Sequence, residues 1–405
     1  MKMKRKVSLI ICMLLLVCTL QSNVVYAADE VKAAEAKAVE NKQMNLSIND
    51  AVRLAQENSR EMWKIDDGLK ELADKRKDAS RAKETAQDIM NMSLTDLSAL
   101  GMDVTSDYIS TLMAKNGYYI TFSDLKTKEI EKKRELLLKG IEIEAKSLYY
   151  QVLVAEKTIE VNEGNMKKAQ EQLRVINLKF NSGSATKAEV LNGEIAVQKS
   201  QSEIDSSKND LQMAKLNLLN KLNLPFDVEL TLTDKEMKYV PTSEIKLNEV
   251  IEKARAQRPE VLTALNNLEL QKIETHVYTA YYTSNLRQNK AAVEKLKDAE
   301  LKVPQVYKDV ELDVRKSYLN LVKSERALIN MDKTVELARE SSRINKLLYQ
   351  NGMAASPDVL ESDTNLAQAE IGRYQLLISY NISKMMFDNC QLMGGSSVSF
   401  ESSAE

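Results

Sequence analysis

The sequence predicts a mainly all-α protein of long antiparallel helical hairpins, coiled-coil in character, arranged as two structural repeats with vestigial short strands. Three observations lead there. The 405 residues include only 11 Gly and 5 Pro, far below the typical usage of ~7% and ~5%, whereas sandwiches, closed barrels and doubly wound sheets need frequent turn residues. Apolar residues recur every seven positions, as in helices that wrap around neighbours. The order of these features then repeats along the chain. Hydrophobic residues make up 43% of the total, enough for a core and too many for a disordered chain.

Residues 1–27 read as a secretory signal peptide. Lys2, Lys4, Arg5 and Lys6 precede an apolar stretch from Val7 to Leu20, and Val25-Tyr26-Ala27 forms a small-residue cleavage signal before Ala28. The apolar stretch is shorter than the ~20 residues of a spanning helix. Loss of these residues removes four positive charges and takes the net charge from −2 to −6, which gives no support to nucleic-acid binding. Cys12 and Cys18 lie inside the signal and follow Ile11 and Val17, not small residues, so a lipid anchor is not expected. Cys390 then stands alone as a small apolar packer with no intrachain disulfide. Residues 28–45 form a polar N-terminal segment.

Two repeats follow, at 46–224 and 245–394. Leu46-Ser47-Ile48-Asn49-Asp50-Ala51-Val52 recurs as Ile245-Lys246-Leu247-Asn248-Glu249-Val250-Ile251, an offset of 199. Further on, Phe180-Asn181-Ser182-Gly183 with Glu189-Val190-Leu191 recurs as Tyr349-Gln350-Asn351-Gly352 with Asp358-Val359-Leu360, an offset of 169. The first half therefore carries 30 extra residues, placed within 85–130, a stretch that includes Gly101, Gly117 and the β-prone run Tyr118–Phe122.

Within the first half, Ala145, Val152, Ile159, Met166, Leu173 and Phe180 fall seven apart, as do Val190, Val197, Ile204, Leu211 and Leu218. The second half answers with Val314, Leu321, Leu328 and Val335, then Val359, Leu366, Tyr380 and Phe387, with Ser342 and Arg373 as exceptions. Beside the second line run mostly small residues, Gly193, Ser200, Ser207 and Ala214, and in the other half Ser362, Ala369, Leu376 and Ser383. They suit either close packing within a bundle or the wall of an oligomer. Gly183 and Gly352 sit where a left-handed residue ends a helix. Thr186 and Glu189 fit a capping box for the next helix, and Ser356-Pro357-Asp358 places a cap, a first-turn proline and an acid in order. The first arm, from roughly 126 to 181, would span about 84 Å. Residues 225–244 form a linker with room for one strand at Val228–Leu232, and 395–405 a disordered polar tail.

No enzyme signature is present. His276 has no second His or Cys nearby for a metal site, and no nucleophile elbow, phosphate loop, dinucleotide fingerprint or zincin motif occurs. Trp63 reads as a packing anchor, and acids such as Asp66-Asp67 and Asp298 with Glu300 as solvated helix faces. No enzyme activity and no cofactor are expected.

The doubled opening motif, the Arg258-Pro259-Glu260-Val261 run and the two tips resemble the TolC-type outer-membrane efflux family over about 46–394. The resemblance implies a homotrimer whose hairpins line a hollow tunnel. It also implies tips that meet a periplasmic adaptor protein, which links the tunnel to an inner-membrane transporter, in an exported protein of the cell envelope at the outer membrane or cell surface. The docking tips would be Gly183, Ser184, Thr186, Glu189, Val190 and Leu191, with Gly352, Met353, Ser356, Val359 and Leu360 opposite. The family's acidic pore pair maps onto Asp358 and Glu361, while the first tip has Glu189 and Asn192. The family's membrane barrel needs two strands of ~9–11 alternating residues per half, and this chain offers only Tyr118–Phe122 and Val277–Tyr282. A reduced or missing barrel is expected. A non-conducting helical scaffold on the same fold is the alternative function.

Overall fold

The computed structural model describes residues 43–92, 96, 106–235, 238–242 and 245–393. The expected signal peptide, most of the 28–45 segment, Gly101 and the 395–405 tail lie outside the described residues. In chain order the elements are β1 (Gln43–Leu46), α1 (Ile48–Glu57), α2 (Arg60–Met90), α3 (Ser106–Lys115), α4 (Tyr118–Asn181), α5 (Lys187–Lys221), β2 (Glu229–Leu232), α6 (Leu247–Gln257), α7 (Pro259–Tyr281), α8 (Arg287–Gln350) and α9 (Ser356–Asp388). The all-α architecture with two long hairpins, α4/α5 and α8/α9, matches the sequence expectation.

The equivalent helices α4 and α8 each have 64 residues, about 96 Å at 1.5 Å per residue, longer than the arm read from sequence. The difference comes from the β-prone run Tyr118–Phe122, which is the first turn and a half of α4 behind Gly117 (φ 75°). Val277–Tyr281 is likewise the end of α7. Both runs pack on Ile109 and Met113 of α3, with the Tyr108 ring tilted against Tyr281 at 5.4 Å and Tyr281 edge-on to Tyr282 at 4.8 Å. Tertiary burial of aromatic side chains overrides their β propensity here. The extra length of the first half is accounted for in part by α2, 31 residues against 23 in α7, and by α3, which has no counterpart.

The only strands among the described residues are β1 and β2, which pair in parallel from Gln43 opposite Glu229 to Leu46 opposite Leu232. Leu46, Leu230 and Leu232 are buried with Tyr149. The Tyr149 hydroxyl donates to the Leu46 carbonyl at 3.0 Å and accepts from the Asp234 N–H at 3.1 Å. One α4 side chain thus fixes both strands. The second half clamps the linker differently. Glu325 of α8 accepts from the Tyr239 hydroxyl (3.1 Å) and the Thr242 N–H (2.8 Å), while Tyr380 of α9 donates to the Val240 carbonyl (2.6 Å). Burial, then the hydrogen bond to Glu325, pushes the Tyr239 phenol up to about 12. Desolvation alone would raise the Glu325 carboxyl, but the hydrogen bonds from Thr242, Tyr239 and Tyr380 outweigh it and hold it below its usual range.

These strands, α1, α6 and the linker form a waist. On the tip side of it the helices lie in the order α5, α4, α9, α8, and on the other side in the order α2, α4, α7, α8. The molecule is therefore a curtain of helices, with α8 along one edge throughout and α5 handing over to α2 along the other. Arg258, at the start of α7 and 2% exposed, ties the waist together: Nε donates to the Cys390 carbonyl at 2.8 Å, and one terminal nitrogen lies 2.7 Å from Asp313 of α8. Cys390 is a buried free thiol, pushed by burial up to about 11.

The heptad line of α8 is buried at every position from Val314 to Tyr349, including the exceptional Ser342. In α4 the expected line holds at Ala145 and Val152 but leaves Phe180 40% exposed. Burial moves instead to Asn162, Ala169 and Ile176. From Val152 to Asn162 is about 80° around the helix, because below the waist α4 turns its buried face towards new neighbours. Here the small-residue line of α5 packs inside its own hairpin. A Cβ at Gly193 would lie 2.9 Å from Leu173 Cδ1, and Ser207 accepts from Asn162 at 2.8 Å.

Candidate functional site

The two tips are built by the same backbone device. At the first, the Gly183 N–H (φ 78°) bonds to the Phe180 carbonyl and the Ser184 N–H to Lys179; at the second, Gly352 (φ 73°) bonds to Tyr349 and Met353 to Leu348. These 5→2 and 6→1 bonds are the Schellman arrangement, which satisfies helix-end carbonyls and needs a residue at positive φ.

The helix starts differ. In α5 the capping box is complete: the Glu189 N–H donates to Thr186 Oγ1 (3.2 Å) and the Thr186 N–H to Glu189 (2.6 Å). That backbone hydrogen bond holds the Glu189 carboxyl below its usual range. In α9 the cap position is Ala355, not Ser356, and only half the box is made, from the Ala355 N–H to Asp358 at 2.9 Å. The reason lies in Ser356, which is 2% exposed and whose hydroxyl accepts from Gln172 of α4 at 2.9 Å. Its side chain joins the hairpins instead of capping the helix.

Asp358 and Glu361 are both exposed, one turn apart on α9. Val190 and Val359 are buried and seat the tips, whereas Leu191 and Met353 stand out into solvent. Sequence reasoning missed Asp363. It is 4% exposed and accepts from the Ser342 hydroxyl at 2.6 Å and Lys346 at 2.9 Å, with Lys168 of α4 at 3.6 Å. Nearer the turns, the Lys179 ammonium sits 3.9 Å from the centre of the Tyr349 ring. Tyr349, Ser356 and Asp363, seven residues apart, thus each meet a polar residue of α4. The tip end of the seam between hairpins is held by polar contacts, while the waist end is held by Ile143 against Leu392 and Met393.

The two edges of the curtain carry a second signal. On α8, Leu301, Leu312, Leu319, Leu337 and Ile344 are 43–63% exposed, and their spacings of 7, 11 and 18 are close to whole numbers of turns. They form a stripe about 64 Å long, on the side opposite the buried Val314, Leu321 and Leu328. On α5, Leu191, Ile195, Met213 and Leu216 are exposed, turned away from the buried Ile204 and Leu218. Single exposed apolar residues are ordinary, but aligned stripes mark contact surfaces. No helix among the described residues is long and apolar enough to cross a membrane.

The described residues thus form a curtain of helices with glycine-turned tips and two edges that carry exposed apolar side chains. No protein-family model matches the chain, and no curated protein does. Its fold is nevertheless that of the TolC-type outer-membrane channels. It is similar to CusC, studied in relation to transmembrane channel formation, with a TM-score of 0.64 over 93% of this chain and 96% of that one at 10% identity. Against the outer membrane protein VceC of Vibrio cholerae the TM-score is 0.59, over 85% and 95% at 10% identity. Against the open MtrE outer membrane channel of Neisseria gonorrhoeae it is 0.55, over 85% and 88% at 11% identity. Identity this low means that the pattern of packing is shared and the choice of residues is not.

Proposed function

We propose that the chain closes with copies of itself into a trimer whose helices enclose a tunnel in the cell envelope, passing substrates of an efflux or export system without chemistry. The observation that carries this reading is the pair of apolar edges. An edge on α8 that differs from the edge on α5 calls for a head-to-tail contact, and such contacts give a ring when the rotation between copies closes. Likeness to outer-membrane channels supports a location in the envelope for an exported chain. The tips around Gly183, Ser184, Thr186, Glu189, Val190 and Leu191, and around Gly352, Met353, Ser356, Val359 and Leu360, dock an adaptor protein that connects to an inner-membrane transporter.

In the ring, three copies of Asp358 and Glu361 face the axis as stacked acidic rings that select cations. The test is conductance of the protein reconstituted in a planar bilayer. Asp358→Asn with Glu361→Gln is expected to abolish cation preference while leaving the pore open. Ion permeation unchanged by the double substitution would remove the ring, and absence of any conductance would mean that the chain does not cross a bilayer by itself, as a reduced or missing barrel implies.

A further inference from the structure

Trp63 is the chain's single tryptophan, and the sequence reading of it as an internal packing anchor is not what the structure holds. It stands on the first turn of α2, 67% exposed. Phe226, 62% exposed, lies at the same height: Asn58, just before α2, donates to the Leu222 carbonyl at the end of α5 at 2.8 Å. Between Leu222 and Phe226 the chain leaves α5 through Asn223 at φ 54° and then Pro225. Two large aromatic side chains are thus in water at the point where α5 hands the curtain's edge over to α2, with Met213 and Leu216 of α5 exposed just below them.

The opposite edge offers a match at this height. Leu218 and Leu219 of α5 pack with Ala145, Tyr149 and Val152 of α4, and the repeat offset of 169 carries residues 145–152 of α4 onto 314–321 of α8. Leu312 and Leu319, 53% and 63% exposed, therefore stand level with Trp63 and Phe226 across the width of the molecule. The aromatic pair continues the α5 stripe through the waist, where otherwise the edge would be broken between two helices.

We infer that Trp63 and Phe226 form an aromatic clamp that receives Leu312 and Leu319 of a second copy of this chain, and that this clamp is the principal anchor of the contact between copies. The inference rests on the ring reading above and names the residues that hold it. Tryptophan dominates interface energetics because it buries a large rigid surface at little conformational entropy.

The single tryptophan makes the test direct. Residues 28–405, which contain every element described above, are followed by light scattering and by acrylamide quenching of Trp63 across a dilution series. The expected result is a quencher-shielded, blue-shifted Trp63 in the assembled form that becomes accessible as the mass falls to one chain. Trp63→Ser and Phe226→Ser should each weaken assembly about 30-fold or more, the effect of a hot-spot residue, with the helical circular dichroism unchanged because both positions are in water in the single chain. An assembled form in which Trp63 stays accessible and Trp63→Ser has no effect overturns the clamp and leaves the ring standing. A chain that never assembles overturns both.

Discussion

Replacing Asp363 tests how the tip end of the seam is held. In the wild type its carboxylate, 4% exposed, receives the Ser342 hydroxyl at 2.6 Å and Lys346 at 2.9 Å, with Lys168 at 3.6 Å. A hydrogen bond to a charged group contributes about 1.5–3 kcal/mol. The lysine side chains are 39% and 41% exposed, so on losing Asp363 their ammonium groups return to water and add little beyond the value of a surface pair. Asp363→Ala should therefore cost about 2 kcal/mol locally, and Asp363→Asn, which keeps an acceptor for Ser342, about half that. Amide hydrogen exchange is the suitable assay, because loss of 2 kcal/mol from local opening speeds exchange about 30-fold. The acceleration should appear in 342–350 and 356–366 and spare the waist around Tyr149. A double cycle with Ser342→Ala should give a coupling of about 1 kcal/mol or more. Exchange at the start of α9 unchanged in Asp363→Ala would refute the reasoning.

Three further outcomes follow from the geometry. Gly352→Val forces a β-branched residue to φ 73° and should lower the melting temperature and loosen the tip, whereas Gly352→Asn, which tolerates left-handed backbone, should cost clearly less; equal effects would contradict the Schellman turn. Glu325, held below its ordinary value of 4.5, contributes stability that is present above that pH and is lost as pH falls through its depressed folded value. Thermal melts should fall in acid below about pH 4.5 and Glu325→Gln should flatten part of that fall. Tyr239, pushed up to about 12, works in the other direction: its contribution is complete below pH 10 and is lost as pH rises through 12, so alkaline melts of Tyr239→Phe should show a smaller decline.

Much of this fold is written in the chain because its strongest signals are local. Scarce glycine leaves Gly183 and Gly352 conspicuous, and both take the positive φ that the doubled tip motif calls for. The heptad of α8 is legible because a single neighbour, α9, faces it along its whole tip-side length. What escaped depends on contacts between distant residues. Gln43–Leu46 has no alternating pattern, and it becomes a strand only because β2, some 186 residues later, offers it a partner under Tyr149. Asp363 looks like any acid in a chain that is 29% charged, and only the approach of Ser342 and Lys168 sets it apart. Tyr118–Phe122 carries strand propensity that an aromatic cluster with α3 and α7 overrules. Ser356 has the composition of a cap and is diverted by Gln172. Trp63 was misread because a large apolar residue near an amphipathic helix implies burial without saying in which molecule the burial occurs.

The mass of the purified 28–405 chain in solution, measured by light scattering beside Leu312→Asp with Leu319→Asp, decides most directly whether the two apolar edges close on copies of the chain. The expected result is a particle of three chains for the wild type and a folded single chain for the double variant, since a charge on the α8 stripe removes the contact without touching the buried heptad behind it. A wild-type chain that stays a stable monomer at all concentrations, with its stripes in water, would contradict the tunnel.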